Sequence, residues 1–182
     1  MLTVVKIGGG VGADALPALC ETVGELAERH PLLVVPGGAG FADAVREADR
    51  RFGLHAGTAH RMAILGMEQF GWMLSDLIPG AVRSTELRAV PGRAVIVMPA
   101  RLALDGLPES WDVTSDSIAA WVADRAGAER LVLVKHPGAA GPGTVDEHLP
   151  VLLARSRFET CVVGPDRLVE VFHGHALPRK NG

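Results

Sequence analysis

Two glycine-rich turns, each entered directly from an apolar run, constrain this chain more than any other feature: VVKIGGG at Val4 to Gly10 and LLVVPGGAGFAD at Leu32 to Asp43. Short uninterrupted apolar runs bounded by turn residues read as strands buried on both faces, the kind that parallel sheets use. Glycines that follow such a strand and open a helix leave backbone amides bare, where an anion is well held. Two cradles of this kind point to phosphate handling and to phosphoryl transfer.

The rest of the chain repeats the alternation. Strands are predicted at Leu2 to Ile7, Leu32 to Val35, Arg93 to Met98, Leu131 to Lys135 and Thr160 to Val163. Helical periodicity covers Asp14 to Arg29, Phe41 to Phe52, Thr58 to Leu77, Ser115 to Ala126, Val145 to Ser156 and Asp166 to Phe172. The second of these carries acidic residues early and Arg46, Arg50 and Arg51 late, as the helix dipole favours. Ile78 to Pro91 holds one or two short strands, Pro99 to Pro108 is a loop, and HPGAAGPG after Lys135 is a turn without strand or helix pattern. Strands alternating with helices predict an α/β fold, a three-layer αβα sandwich around a mainly parallel central sheet. The length of 182 residues suits one domain with a sizeable core.

Composition removes several classes of function. A net charge of −3 and only five Phe, three Trp and no Tyr speak against a nucleic-acid surface, so no nucleic-acid partner is expected. No apolar run approaches the ~20 residues that span a bilayer, and the start MLTVVKIGGG lacks a signal-peptide pattern. A cytoplasmic protein without a membrane partner is the expectation. Cys20 and Cys161 lie far apart inside regular elements and read as small buried apolar residues. The histidines are too dispersed for a metal signature, so no metal ligands are assigned, and HGH at His173 to His175 reads as solvent-facing. A broad apolar face from Thr58 to Met73 fits either a buried core helix or the contact face of a homo-oligomer.

Lys6 falls at the carboxyl end of the first strand, where open α/β sheets place ligands, beside Gly8, Gly9 and Gly10. An ammonium there neutralises a transferring phosphoryl group, or else snorkels to water. Gly37, Gly38 and Gly40 permit either a positive backbone torsion or close ligand approach. Thr114 or Ser115 is placed to cap a helix, which puts Asp116 in its first turn, as a dipole partner or as the carboxylate that orients Lys6. Lys135 with His136 repeats the placement of Lys6 at a second strand end. The chain has neither the GxxxxGK[ST] loop nor GxGxxG, and no GxSxG elbow.

At these residues the chain resembles the amino acid kinase superfamily, which includes acetylglutamate, aspartate, uridylate and isopentenyl phosphate kinases. VKIGGG is similar to its lysine-glycine motif, VVPGGAGFAD to its second glycine motif, TSDSIAA to its acidic helix start, and LVLVKHPG to the strand entering its nucleotide loop. On PGGAGFADAVREADRRFGL, AHRMAILGMEQFG, SWDVTSDSIAAW and TVDEHLPVLLARSRFETCVVG the resemblance narrows to the small kinases of methanofuran and methylofuran biosynthesis, a branch of one-carbon metabolism. Those act on an aminomethylfuran phosphate.

The resemblance implies a single amino acid kinase-like domain over residues 1–182, with ATP and Mg2+ as cofactors and a small-molecule phosphate as substrate. It implies catalytic roles for Lys6, Asp116 and Lys135. Gly8, Gly9, Gly10, Lys135 and Gly138 would line the nucleotide side, and Gly37, Gly38, Phe41, His60 and Arg61 the acceptor side. Asp43, Asp146 and Glu147 are the candidates for holding an acceptor amine. The chain departs from the family in its shortened nucleotide loop, HPGAAGPG, in a glycine after Gly9 where serine is common, and in having no lysine between Gly143 and Arg155. Those departures keep two alternatives open: a noncatalytic nucleotide- or phosphate-binding homologue, and a kinase for another phosphate or carboxylate acceptor.

Overall fold

The computed structural model describes residues 1–136 and 144–173. Its centre is a six-stranded sheet built from β1 (Thr3–Ile7), β2 (Leu32–Pro36), β3 (Val82–Ser84), β4 (Ala94–Val97), β5 (Arg130–Val134) and β6 (Glu159–Val163). The spatial order is β3-β4-β2-β1-β5-β6, and every pairing is parallel. Around it lie α1 (Leu16–Arg29), α2 (Ala39–Phe52), α3 (Ala56–Leu77), α4 (Ser115–Arg125), α5 (Leu149–Leu153) and α6 (Leu168–Phe172).

Strand alternation divides the core into two layers. Val5, Ile7, Val34, Ile96 and Val132 pack on α1, α6 and the Phe70 and Leu74 side of α3. Val4, Leu33, Val35, Val95 and Leu133 face the other way, onto Ile118, Ala119 and Val122 of α4 and Leu149 of α5. Helices therefore cover both faces, the αβα sandwich expected from the sequence. All five residues of β1 are buried, because it lies between β2 and β5 and under helices on each side. Lys6 shares the α4 side with Val4 by the same alternation, and this fixes the direction of its side chain.

From β1 the chain passes to the neighbouring β2, then to β3 at the sheet edge, returns to fill the gap with β4, and crosses to β5 on the other side of β1. The carboxyl ends of β1, β2 and β5 thus border the point where strand order reverses, the crevice in which open α/β sheets bind ligands.

Several element bounds differ from the sequence expectation. α2 begins at Ala39, so its first turn holds no acidic residue. The helix expected over Val145 to Ser156 shrinks to Leu149–Leu153, because Pro150 sits in its first turn and Asp146 is committed to a separate cap. The region before β4 contributes one strand and a lone antiparallel bridge, Val90 to Arg93. A single 3-10 turn, Pro99–Arg101, interrupts the loop after β4, with Ala100 N–H donating to Glu68 at 2.9 Å. Cys20 is buried, whereas Cys161 is only partly so, and burial pushes both thiols up to about 11.

The two glycine turns pack directly on one another. Gly37 N–H donates to Ile7 O at 2.8 Å, and Gly8 N–H donates to Val134 O at 2.9 Å. A Cβ on Gly37 would stand 2.7 Å from Gly9 N and 2.8 Å from Ile7 O, both rigid backbone atoms. Gly37→Ala is therefore expected to destabilise the protein by about 3 kcal/mol through overpacking, read as a lower urea midpoint. At Gly40, inside α2, an added Cβ meets nothing within 4 Å. Gly40→Ala should instead stabilise by about 0.5–1 kcal/mol.

Candidate functional site

Three charged side chains meet above the carboxyl end of β1. Lys6 Nζ lies 2.8 Å from Asp116 Oδ1, and Lys135 Nζ lies 2.6 Å from Asp116 Oδ2. Asp116 comes from the first turn of α4, Lys6 from within β1, and Lys135 directly after β5. The side chains of Lys6 and Asp116 are only 4% and 3% exposed, and that of Lys135 14%. Snorkelling of Lys6 to water is thereby excluded, and Asp116 spends its carboxylate on lysines rather than on its own helix terminus.

Burial alone would raise the Asp116 carboxyl, but the Lys6 ammonium and then the Lys135 ammonium outweigh it and hold the group below its usual 3.8. Lys6 is pulled below its ordinary 10.5, first by burial, with Asp116 opposing and Lys135 adding to the shift. Two cations on one anion leave this buried group with an excess of positive charge.

A carboxylate from outside the helix holds the start of α4. Asp146 Oδ2 accepts from Thr114 N–H, Thr114 Oγ1 and Ser117 N–H at 2.8, 2.8 and 2.9 Å. Its Oδ1 accepts from Ser117 Oγ at 2.5 Å and from Leu149 N–H at 2.9 Å. The cap expected from Thr114 or Ser115 is thus supplied by Asp146, with Thr114 as its donor. Asp146 N–H in turn donates to Asp116 Oδ2 at 3.3 Å.

Over the charged group opens a cleft of about 340 Å³, lined by Lys6, Lys135, Gly9, Gly10 and Gly38 on the strand-end side. Asp43, Arg46, His60 and Trp111 line it further round. Gly9 is needed for close approach, since a Cβ there would fall 2.3 Å from Ala39 Cα. The positive torsion anticipated for the second glycine turn sits on Ala39 instead, at φ 46°, while Gly37, Gly38 and Gly40 keep ordinary torsions. A strained non-glycine residue beside a cleft is a common mark of a functional turn. No side chain caps α2, so its first amides lack a side-chain partner.

The remaining expected residues divide. Gly37 lies behind the cleft, in the packing between the turns, whereas Gly8 lies against Lys6, Lys135 and the Val134 carbonyl and lines an adjoining hollow. Arg61 is exposed and pairs with Glu109 at 3.1 Å, away from the cleft lining. Phe41 lines a separate apolar hollow with Val11, Leu16, Phe70 and Met73. Gly138 and His175 lie outside the described residues. Of the carboxylates considered for an amine, Asp43 alone lines the cleft, whereas Asp146 is occupied by the contacts above and Glu147 is exposed. Sequence reasoning missed Trp111, whose Nε1–H donates to Asp49 at 2.7 Å while the Arg46 guanidinium sits 5.0 Å over its ring. It also missed the capping role of Asp146. Partners 62 and 32 residues apart leave no local signal.

Among the described residues, no group of three or more His, Cys, Asp or Glu is placed to hold a metal ion, and no helix is long and apolar enough to cross a membrane.

Comparison with known proteins follows the same outline. A model of the amino acid kinase family matches residues 1–136. The chain is 25% identical to the [5-(aminomethyl)furan-3-yl]methyl phosphate kinase of Methanocaldococcus jannaschii, covering 94% of this chain and 93% of that one. Its fold superposes on uridylate kinase from Archaeoglobus fulgidus with a TM-score of 0.75 over 97% of both chains, at 16% identity. UMP kinase from Ureaplasma parvum gives 0.68 at 14% identity, covering 95% of this chain and 94% of that one.

Asp116→Asn leaves two buried ammonium groups facing a neutral amide and should destabilise by about 3–5 kcal/mol near neutral pH. Because the folded carboxyl lies below 3.8, its stabilising contribution is complete above that pH and is lost as pH falls through the folded value. Urea midpoints of wild type and variant should therefore differ most at neutral pH and converge in acid.

Proposed function

The chain belongs to the amino acid kinase family, and on that premise we propose that it is an ATP-dependent small-molecule kinase whose acceptor is a phosphomonoester, [5-(aminomethyl)furan-3-yl]methyl phosphate, converted to its diphosphate. The observation that carries this reading is the buried Lys6–Asp116–Lys135 group under a cleft walled by two glycine turns. In it, an oxygen of the acceptor phosphate attacks the γ-phosphorus of ATP in line. The new P–O bond forms as the bond to the β-phosphate oxygen breaks, and ADP leaves. Phosphoryl transfer of this kind depends on positioning and charge neutralisation. A phosphate acceptor is ionised near neutral pH, so the reaction requires no dedicated general base.

The roles follow from position. Lys6, beside Gly9 and Gly10, neutralises the transferred phosphoryl group. Lys135, at the end of β5 next to the residues that correspond to the nucleotide loop, serves the leaving phosphate. Asp116 touches both ammonium groups and fixes their spacing. Gly38 and the uncapped start of α2 receive the acceptor's own phosphate. The described residues offer no cage for magnesium, which would arrive as MgATP, its charge shielding the phosphates. Asp43 is the carboxylate positioned for the acceptor's ammonium. The similarity to the archaeal aminomethylfuran phosphate kinase supports this acceptor.

A homo-oligomer through α3 belongs to the same reading, because Leu65 and Trp72 on that helix are 53% and 54% exposed. The second reading, a noncatalytic phosphate-binding homologue, is favoured by the absence of any lysine between Gly143 and Arg155. Binding of MgATP and acceptor without ADP release would establish it.

With the aminomethylfuran phosphate as acceptor, MgATP should yield ADP and the diphosphate. Lys6→Met, which keeps chain length and the Asp116–Lys135 pair, should lower kcat by about 100- to 1,000-fold. Equal turnover by wild type and this variant removes Lys6 from the mechanism.

A further inference from the structure

His60 is the cleft's one polar side chain from α3, and it is 5% exposed. Its Nδ1 lies 3.1 Å from the carbonyl oxygen of Ser110. A carbonyl only accepts, so Nδ1 carries a proton, and in the tautomer this selects Nε2 is the nitrogen that presents a lone pair. No described residue donates to that nitrogen. Apart from Ser115, the other polar side chains of the cleft are already engaged: Arg46 with Asp43 and Trp111, Trp111 with Asp49, Thr114 with Asp146, and both lysines with Asp116. The ring is nine-tenths buried yet lines the cleft, so a group that enters the cleft and donates to this nitrogen gives it a partner fixed in direction.

We propose that His60 determines acceptor specificity: its Nε2 accepts a hydrogen bond from an N–H or O–H group at the non-phosphate end of the acceptor. This rests on the transferase reading above and sharpens it. The bond from Nδ1 to Ser110 fixes both tautomer and ring orientation, so the lone pair is aimed before the substrate arrives. Ala63, Ile64, Met67 and Val113 line the same cleft with apolar surface. A small ring carrying a donor fits such a lining, whereas an acceptor without a donor leaves Nε2 unpaired. Sites that hydrogen-bond a substrate in this way reject the analogue lacking the group more strongly than an apolar pocket rejects a change in size. An ammonium differs from a hydroxyl in also attracting Asp43, so the two donors are distinguishable.

The test is calorimetric titration of the intact protein with three furan-3-ylmethyl phosphates that carry aminomethyl, hydroxymethyl or methyl at the ring's far carbon. Wild type should bind the two donor-bearing compounds about tenfold more tightly than the methyl compound, the worth of one hydrogen bond. His60→Asn keeps an amide N–H for Ser110 but has no atom at the Nε2 position, and it should reduce that preference to less than twofold. His60→Gln places an amide oxygen near the same point and should retain most of it, which separates hydrogen bonding from a structural role. Aminomethyl binding more tightly than hydroxymethyl supports the added contact to Asp43. Equal affinity of wild type for all three compounds, or a preference that survives in His60→Asn, overturns the proposal. ADP release is followed in parallel with MgATP. A preference without ADP release overturns the kinase reading and leaves the role of His60 standing, turnover without a preference does the reverse, and no binding of any compound overturns both.

Discussion

One carboxylate held between two buried ammonium groups is the interaction on which the rest of this structure depends. Removing three charges from water is costly, and a buried ion pair of this kind is often no more stabilising than well-packed apolar residues of similar size. Stability alone is therefore a poor reason for the Lys6–Asp116–Lys135 arrangement. Its electrostatics supply a better one. Two positive charges share one negative charge, so the group retains positive character exactly where a cleft opens onto it. Perturbed titratable groups in a cleft recur at functional sites, as they also do in structural ion-pair networks. Here the perturbation favours an anion.

The fold gives this group little freedom to move. Lys6 belongs to a central strand paired on both edges, so its Cα position is set by β2 and β5 together. Asp116 belongs to a helix whose start is tied by Asp146, and the glycine turns are packed backbone to backbone. Phosphate recognition needs such preorganisation, because donors that must first be pulled into place lose much of their effect in the transition state. The far wall of the cleft is built with comparable rigidity. Trp111 is tethered to α2 through Asp49, and His60 is tethered to the backbone of the preceding loop residue, Ser110.

Much of the architecture was legible because it rests on local periodicity. Buried strands, glycine turns and amphipathic helices leave patterns within a few residues, and the parallel αβα arrangement follows from their alternation. The placement of Lys6 and Lys135 at strand ends, with Asp116 in the first turn of a helix, was readable for the same reason, whereas their meeting at adjacent strands follows from the sheet order. What stayed hidden is nonlocal. Nothing around Asp146 in sequence says that it caps a helix some thirty residues earlier, and nothing around Trp111 points to Asp49. The positive torsion fell on Ala39 rather than on a flanking glycine, because Gly9 and Gly37 were needed for a different purpose, the close approach of two backbones. Arg61 follows His60 by one residue, and helical geometry turns it to the outside, where it meets Glu109.

Asp116 Oδ2 receives both the Lys135 ammonium and the Asp146 amide. The chain that leaves β5 and the chain that returns to α5 are therefore pinned to a single oxygen atom. With Lys135, Asp116 and Asp146 joined there, the end of β5 and the starts of α4 and α5 are held in one register by the charged group itself.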